Sequence, residues 1–223
     1  MKKTLSLLAV FAVAGMMSTP AQAADHYISG MAGISWFQDS DVNRVYQPTT
    51  TVPGVAEFDS GLTAVGAIGC DYGSTRLEAE IGYQKNDFND SDTGKAYVLS
   101  LMANGFYDID LGGVDLYAMA GVGVAQVNIQ YDDSETSGFG NNAVSVPYTY
   151  EVTETTLAYQ LGAGLAIPVG DGVMIDARYR YFATTDFVTG DDRDSSGFLM
   201  LNPGINKTNI SSHSAMLGLR VNL

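Results

Sequence analysis

Two short stretches of this chain carry ionisable side chains at every second position. Arg76, Glu78 and Glu80 alternate with Leu77, Ala79, Ile81 and Tyr83; Asp176, Arg178 and Arg180 alternate with Ile175, Ala177, Tyr179 and Tyr181. A period of two belongs to a strand, so each stretch gathers its charges on one face opposite a wholly apolar one. Guanidinium and carboxylate groups so arrayed can pair, and if enclosed they must, because a lone buried charge is costly. Arg76, Glu78, Glu80, Asp176, Arg178 and Arg180 therefore form a candidate charge network.

Other reactive side chains make weaker patterns. His26 and His213 are the two histidines. Ser211 lies two residues from His213 on the same strand face, a spacing that polar strand ends also produce without catalysis, and catalysis requires a base that reaches both nucleophile and orienting group. Asp192-Arg193-Asp194-Ser195-Ser196-Gly197 resembles half of a calcium loop, but Pro203 stands where a bidentate glutamate belongs. Asp87-Phe88-Asn89-Asp90-Ser91-Asp92 is acidic without the required glycine. A single cysteine, Cys70, excludes an intramolecular disulfide and a multi-cysteine zinc site. The expectation is a protein with no catalytic, cofactor or metal set, in which the acidic loops could recruit divalent cations or a surface ligand.

The elements that must position the six charges follow the same period. Strands are expected at Tyr27 to Phe37, Leu62 to Cys70, Thr75 to Gln84, Tyr97 to Ile109, Leu116 to Tyr131, Leu157 to Ile167, Val173 to Tyr181 and Ser212 to Leu223. In the fifth, Ala118 to Ala125 is small and apolar on both faces, and Gln126, Asn128 and Gln130 mark its polar side. Asp71-Tyr72-Gly73-Ser74, Asp110-Leu111-Gly112-Gly113 and Val169-Gly170-Asp171-Gly172 are hairpin turns. The remaining links, at 38–58, 86–96, 132–156 and 184–211, are long and acidic. Short and long links alternate, so an up-and-down array carries three turns at one end and four loops at the other. In a ring of eight, the third and seventh strands stand opposite, and the six charges meet near the axis.

Lys2 and Lys3 precede an apolar run from Leu5 to Met17, and Ala21-Gln22-Ala23 supplies a cleavage site; residues 1–23 read as a cleaved helical signal peptide of the Sec pathway and 24–223 as one domain. Loss of the two lysines takes the net charge from −14 to −16, which excludes a nucleic-acid partner held through phosphates. Past the signal no apolar run reaches the length of a spanning helix, so membrane residence must be as strands. Those strands must close, because hydrocarbon cannot solvate an open edge. Tyr27, Trp36, Tyr83, Tyr107, Tyr117, Tyr159, Tyr179 and Tyr181 near strand ends are expected as interfacial girdles. The fold class is all-β, an eight-stranded antiparallel up-and-down transmembrane barrel with a charged lumen. A soluble periplasmic ligand-binding barrel would invert the two faces, and a lipid-modifying outer-membrane enzyme would rely on His213.

The fragments Arg76-Leu77-Glu78-Ala79-Glu80-Ile81-Gly82-Tyr83, Ala103-Asn104-Gly105-Phe106-Tyr107-Asp108, Tyr117-Ala118-Met119-Ala120-Gly121-Val122-Gly123, Tyr159-Gln160-Leu161-Gly162-Ala163-Gly164-Leu165 and Ser214-Ala215-Met216-Leu217-Gly218-Leu219-Arg220-Val221 follow one another along nearly the whole chain after the signal. Together they resemble the opacity-protein and surface-antigen class of small outer-membrane barrels, often called porin family proteins, whose architecture is similar to the N-terminal domain of OmpA. The resemblance implies a non-enzymatic protein of the bacterial outer membrane with a structural or surface-interaction role and at most a narrow gated ion path. Its implied partners are outer-membrane lipid and lipopolysaccharide, the barrel assembly machinery and a surface ligand.

Overall fold

The computed structural model describes residues 24–38, 40–46, 50–56, 60–87, 93–137, 144–189 and 205–223. Eight strands close a barrel: β1 (Asp25–Phe37), β4 (Gly61–Asp71), β5 (Thr75–Asp87), β6 (Thr93–Asp110), β7 (Asp115–Ser137), β8 (Val144–Gly170), β9 (Val173–Thr184) and β12 (Ser211–Asn222). All neighbours are antiparallel. The ring is sealed where the first and last strands meet, from Tyr27↔Asn222 to Phe37↔Ser212. Closure satisfies the edge groups that an open sheet would leave unpaired in lipid.

The three turns form where the sequence places Gly and Asp. Gly73, Gly112, Gly113 and Gly172 all take positive φ, and the Asp71 and Asp110 carboxylates accept the backbone N–H of Gly73 and Gly112. At the other end the four links contain more strand than the sequence suggests. β7 and β8 run on together as a long ribbon out to Ser137↔Val144. A separate four-stranded sheet is built from β2 (Ser40–Tyr46), β3 (Thr50–Ala56), β10 (Phe187–Thr189) and β11 (Ile205–Thr208), in the order β10-β11-β2-β3. Much of what reads as acidic loop is therefore paired backbone. Composition alone does not reveal that pairing, because a backbone ladder forms whatever the polarity of the side chains. The signal segment, the half calcium loop at 192–197 and residues 88–92 lie outside the described residues.

The faces separate as a lipid-embedded wall requires. Leu77, Ile81, Ile175 and Leu219 point outward and are exposed, as are Ile28, Leu99, Leu161 and Leu217. On β6 the outward Tyr97 and Tyr107 are ten residues apart, about 33 Å of strand. At the usual barrel tilt that is about 25 Å of height, the thickness of an outer-membrane apolar band. Trp36, Tyr83, Tyr107, Tyr159 and Tyr179 are exposed on this exterior. Tyr27 and Tyr117 are not: both are buried in the lumen, because their positions share a face with Ser29 and Met119.

Candidate functional site: the barrel lumen

β5 and β9 stand opposite in the ring and project their charged faces into the lumen, where all six expected residues are buried. Glu80 is the hub. Its two carboxylate oxygens face two guanidiniums, Arg178 Nη1 at 3.1 Å and Arg180 Nη1 at 3.3 Å, and also accept hydrogen bonds from the amides of Asn104 and Gln160, each at 3.2 Å. Arg180 donates in addition to Thr63 Oγ1 at 3.1 Å and Ser214 Oγ at 3.2 Å, so one side chain ties β9 to β4, β5 and β12. A charge removed from water is held in place by such saturation, since the attraction offsets desolvation only when the remaining donors are also satisfied.

Nearer the turn end, Glu78 accepts from Tyr27 Oη at 3.1 Å and lies 3.9 Å from Arg178 Nη1. Arg76 forms a two-pronged pair with Asp108, Nε and Nη2 each at 2.8 Å, and its guanidinium stacks 4.2 Å from the Phe106 ring centroid. Tyr117 donates to Asp176 and accepts from Arg178 Nε at 3.2 Å. Asp176 thus meets Arg178 through a phenol; no arginine pairs with it directly among the described residues. Arg220 is a further buried cation, 3.9 Å from Asp115 and 5.5 Å from the Tyr27 ring.

The structure brings the six charges into one lumen but assigns partners that sequence reasoning missed. Asp108, Arg220, Asn104, Gln160, Tyr27 and Tyr117 all contribute. Asn104 shares its lumen face with Val98, Ser100, Met102, Phe106 and Asp108, and Gln160 its own with small residues, so alternation could have flagged each as an inward amide. Tyr27 and Tyr117, expected in the girdles, had no sequence signal for the inward choice.

Above the charges the lumen changes character. Gln84, Asn86, Ser35 and Ser212 form a neutral polar layer, with Ser35 Oγ donating to Asn86 Oδ1 at 2.9 Å and Ser212 Oγ donating to Gln84 Oε1 at 3.1 Å. Beside it Phe37, Val98, Met102, Val127 and Phe182 pack with Phe187 and Ile210 into a buried apolar cluster, with Val98 in register with Gln84 and Phe182 with Ser212. In β7 Gln126, in register with Leu99, is exposed on the outside and Val127 is buried, which fixes the phase that the sequence left open.

His26 and His213 are far apart, at the turn end and the outer end. His213 lies on the exterior, its Nδ1 2.6 Å from Tyr179 Oη and its Nε2 2.9 Å from the Gln38 amide nitrogen. Ser211 donates to Gln38 Oε1 at 2.9 Å rather than to the histidine. Among the described residues no group of three or more His, Cys, Asp or Glu side chains is placed to hold a metal ion.

A sealed antiparallel cylinder with an apolar exterior band, aromatic rims and an ion-paired interior is an integral outer-membrane β-barrel. The chain belongs to the family described as outer membrane protein beta-barrel domain, whose family model matches residues 9–222. It is 26% identical over 205 residues to the outer membrane protein PagN of Salmonella typhimurium, an alignment covering 81% of this chain and 83% of that one. Among solved structures it is similar to the outer membrane protease OmpT from Escherichia coli, with a TM-score of 0.53, 12% identity and coverage of 92% and 99%. It is also similar to Neisserial surface protein A, with a TM-score of 0.45, 15% identity and coverage of 91% and 100%. Both identities are low, and the OmpT likeness concerns the fold alone.

Proposed function

We propose that this barrel is a non-enzymatic structural and surface-interaction protein of the outer membrane, whose lumen is a stability core with at most a narrow gated ion path. The observation that carries the reading is Glu80, shared between Arg178 and Arg180 beneath the apolar cluster. A lumen stitched by the Glu80 ion pairs and packed with Phe182 and Val127 leaves the outward surfaces as the place for interaction. Export through the Sec pathway, insertion by the barrel assembly machinery, contact with lipopolysaccharide and a ligand at the acidic outer end belong to the same reading.

The gate reading requires Arg178 to exchange between Glu80 and Glu78, which lie 3.1 and 3.9 Å from its Nη1. Single-channel recording in planar bilayers tests it with Glu78→Arg and Arg178→Glu. A stability core predicts the same closed baseline in both variants and the wild type, whereas a conductance step in either variant favours the gate. Against a lipid-modifying enzyme stands the bonding of His213, whose ring is engaged by Tyr179 and Gln38 while Ser211 is engaged elsewhere. His213→Ala is expected to leave the lipid A mass spectrum of the host unchanged.

A further inference from the structure

Two cations of the barrel wall stand close together. Of the 11 Lys and Arg residues in the chain, Arg76, Arg178, Arg180 and Arg220 are buried in the lumen. On the barrel wall, Lys85 on β5 and Lys95 on β6 face outward. Lys85 is paired in register with Tyr97, and Lys95 with Asp87, so the two lysines are diagonal neighbours about 7–8 Å apart on one face. Tyr97, level with Lys85, and Tyr83, two residues below Lys85, lie with ring centroids 6.4 Å apart, at the outer rim of the apolar band. Below that rim the wall is Ile81 and Leu99, both exposed. Lys85 therefore stands level with the aromatic rim and Lys95 one step beyond it, where the headgroups of the outer leaflet begin.

We propose that Lys85 and Lys95 form a docking site for a phosphate group of an outer-leaflet glycolipid, with Tyr83 and Tyr97 seating the lipid body beneath it. The inference rests on the membrane residence and lipopolysaccharide contact proposed above and names where that contact is made. Charge complementarity carries it. A protein of net charge −14 repels an anionic leaflet, and a pair of ammonium groups at phosphate height provides the local attraction, their aliphatic stems lying along the wall while the charged ends reach the headgroups. The spacing allows both ammonium groups to approach oxygens of one phosphate. Asp87 shares the patch, 3.9 Å from Lys85. It steadies the lysine in the empty site and competes with the phosphate when one arrives.

Asp87 also separates this site from a bridge through a divalent cation, because a bridging cation would need the carboxylate whereas direct docking is opposed by it. The test uses the folded full barrel in detergent and native mass spectrometry with bisphosphorylated lipid A and its dephosphorylated form. Lys85→Ala combined with Lys95→Ala is expected to weaken binding of the phosphorylated lipid about tenfold or more and to leave the dephosphorylated lipid unaffected. Lys85→Arg with Lys95→Arg retains binding, and Asp87→Asn strengthens it. Unchanged affinity in the double alanine variant, an equal loss for both lipids, or weakened binding in Asp87→Asn would overturn the site. Flotation with vesicles and heat-modifiable gel mobility of each variant report membrane residence and folding independently, so failure of the underlying reading is seen separately.

Discussion

Glu80 is the residue on which the lumen turns, because it neutralises two guanidiniums that no other carboxylate reaches as closely. Glu80→Ala takes the paired carboxylate from Arg180, leaves Arg178 with the more distant Glu78, and removes an acceptor from each of Asn104 and Gln160. Breaking a buried pair by removing one partner costs about 3–5 kcal/mol, and urea unfolding of the refolded barrel should register a loss of that size. Thr63→Val removes one neutral acceptor of Arg180 and should cost about 1–3 kcal/mol. Gly164 is decisive for a steric reason. A methyl there would meet the Tyr117 ring and the carbonyl oxygen of Ala177, and Tyr117 cannot retreat without releasing Asp176 and Arg178. Gly164→Ala is accordingly expected to destabilise by about 1–3 kcal/mol in the same assay.

At the scale of the element, β7 shows why alternation does not by itself say which face is inside. Its lower half meets lipid and keeps Tyr117 and Met119 in the lumen. Its upper half keeps Ala125 and Val127 inside while Gln126 faces out. The strand keeps one phase throughout. Gln126, the first of the three residues that mark the polar side of this segment, faces outward, so that polar side is not the lumen side. This can be checked with a pair of substitutions. Val127→Asp buries an unpaired carboxylate in the apolar cluster and should unfold or severely weaken the outer barrel. Gln126→Asp, one residue away and exposed, should change stability by no more than about 0.5 kcal/mol.

For the whole molecule, the exterior band is the determinant of residence. Ile81 pairs with Leu101, midway between the outward Tyr97 and Tyr107, and so lies near the centre of the bilayer. Ile81→Arg should destabilise the inserted barrel by about 2–4 kcal/mol in lipid, measured by reversible unfolding from vesicles. Read from the chain alone, the eight strands, their three turns and the two opposed faces of β5 and β9 are legible, because a strand's period of two and the backbone demands of a tight turn are local properties. The six lumen charges are legible for the same reason. Their partners are not: Arg76 with Asp108, Glu80 with two arginines and Arg178 with Tyr117 depend on register around a closed ring, which brings together residues remote in sequence. Nor does the period reveal that Tyr27 and Tyr117 turn inward, or that the loops beyond Asp132 continue as paired strand. Sequence by itself determined that there would be two chemically distinct faces and a cylinder to separate them. Only the tertiary structure decided which solvent each face would meet at each height and which charges would neutralise one another, because the first depends on where the closed wall leaves the bilayer and the second on register around the ring.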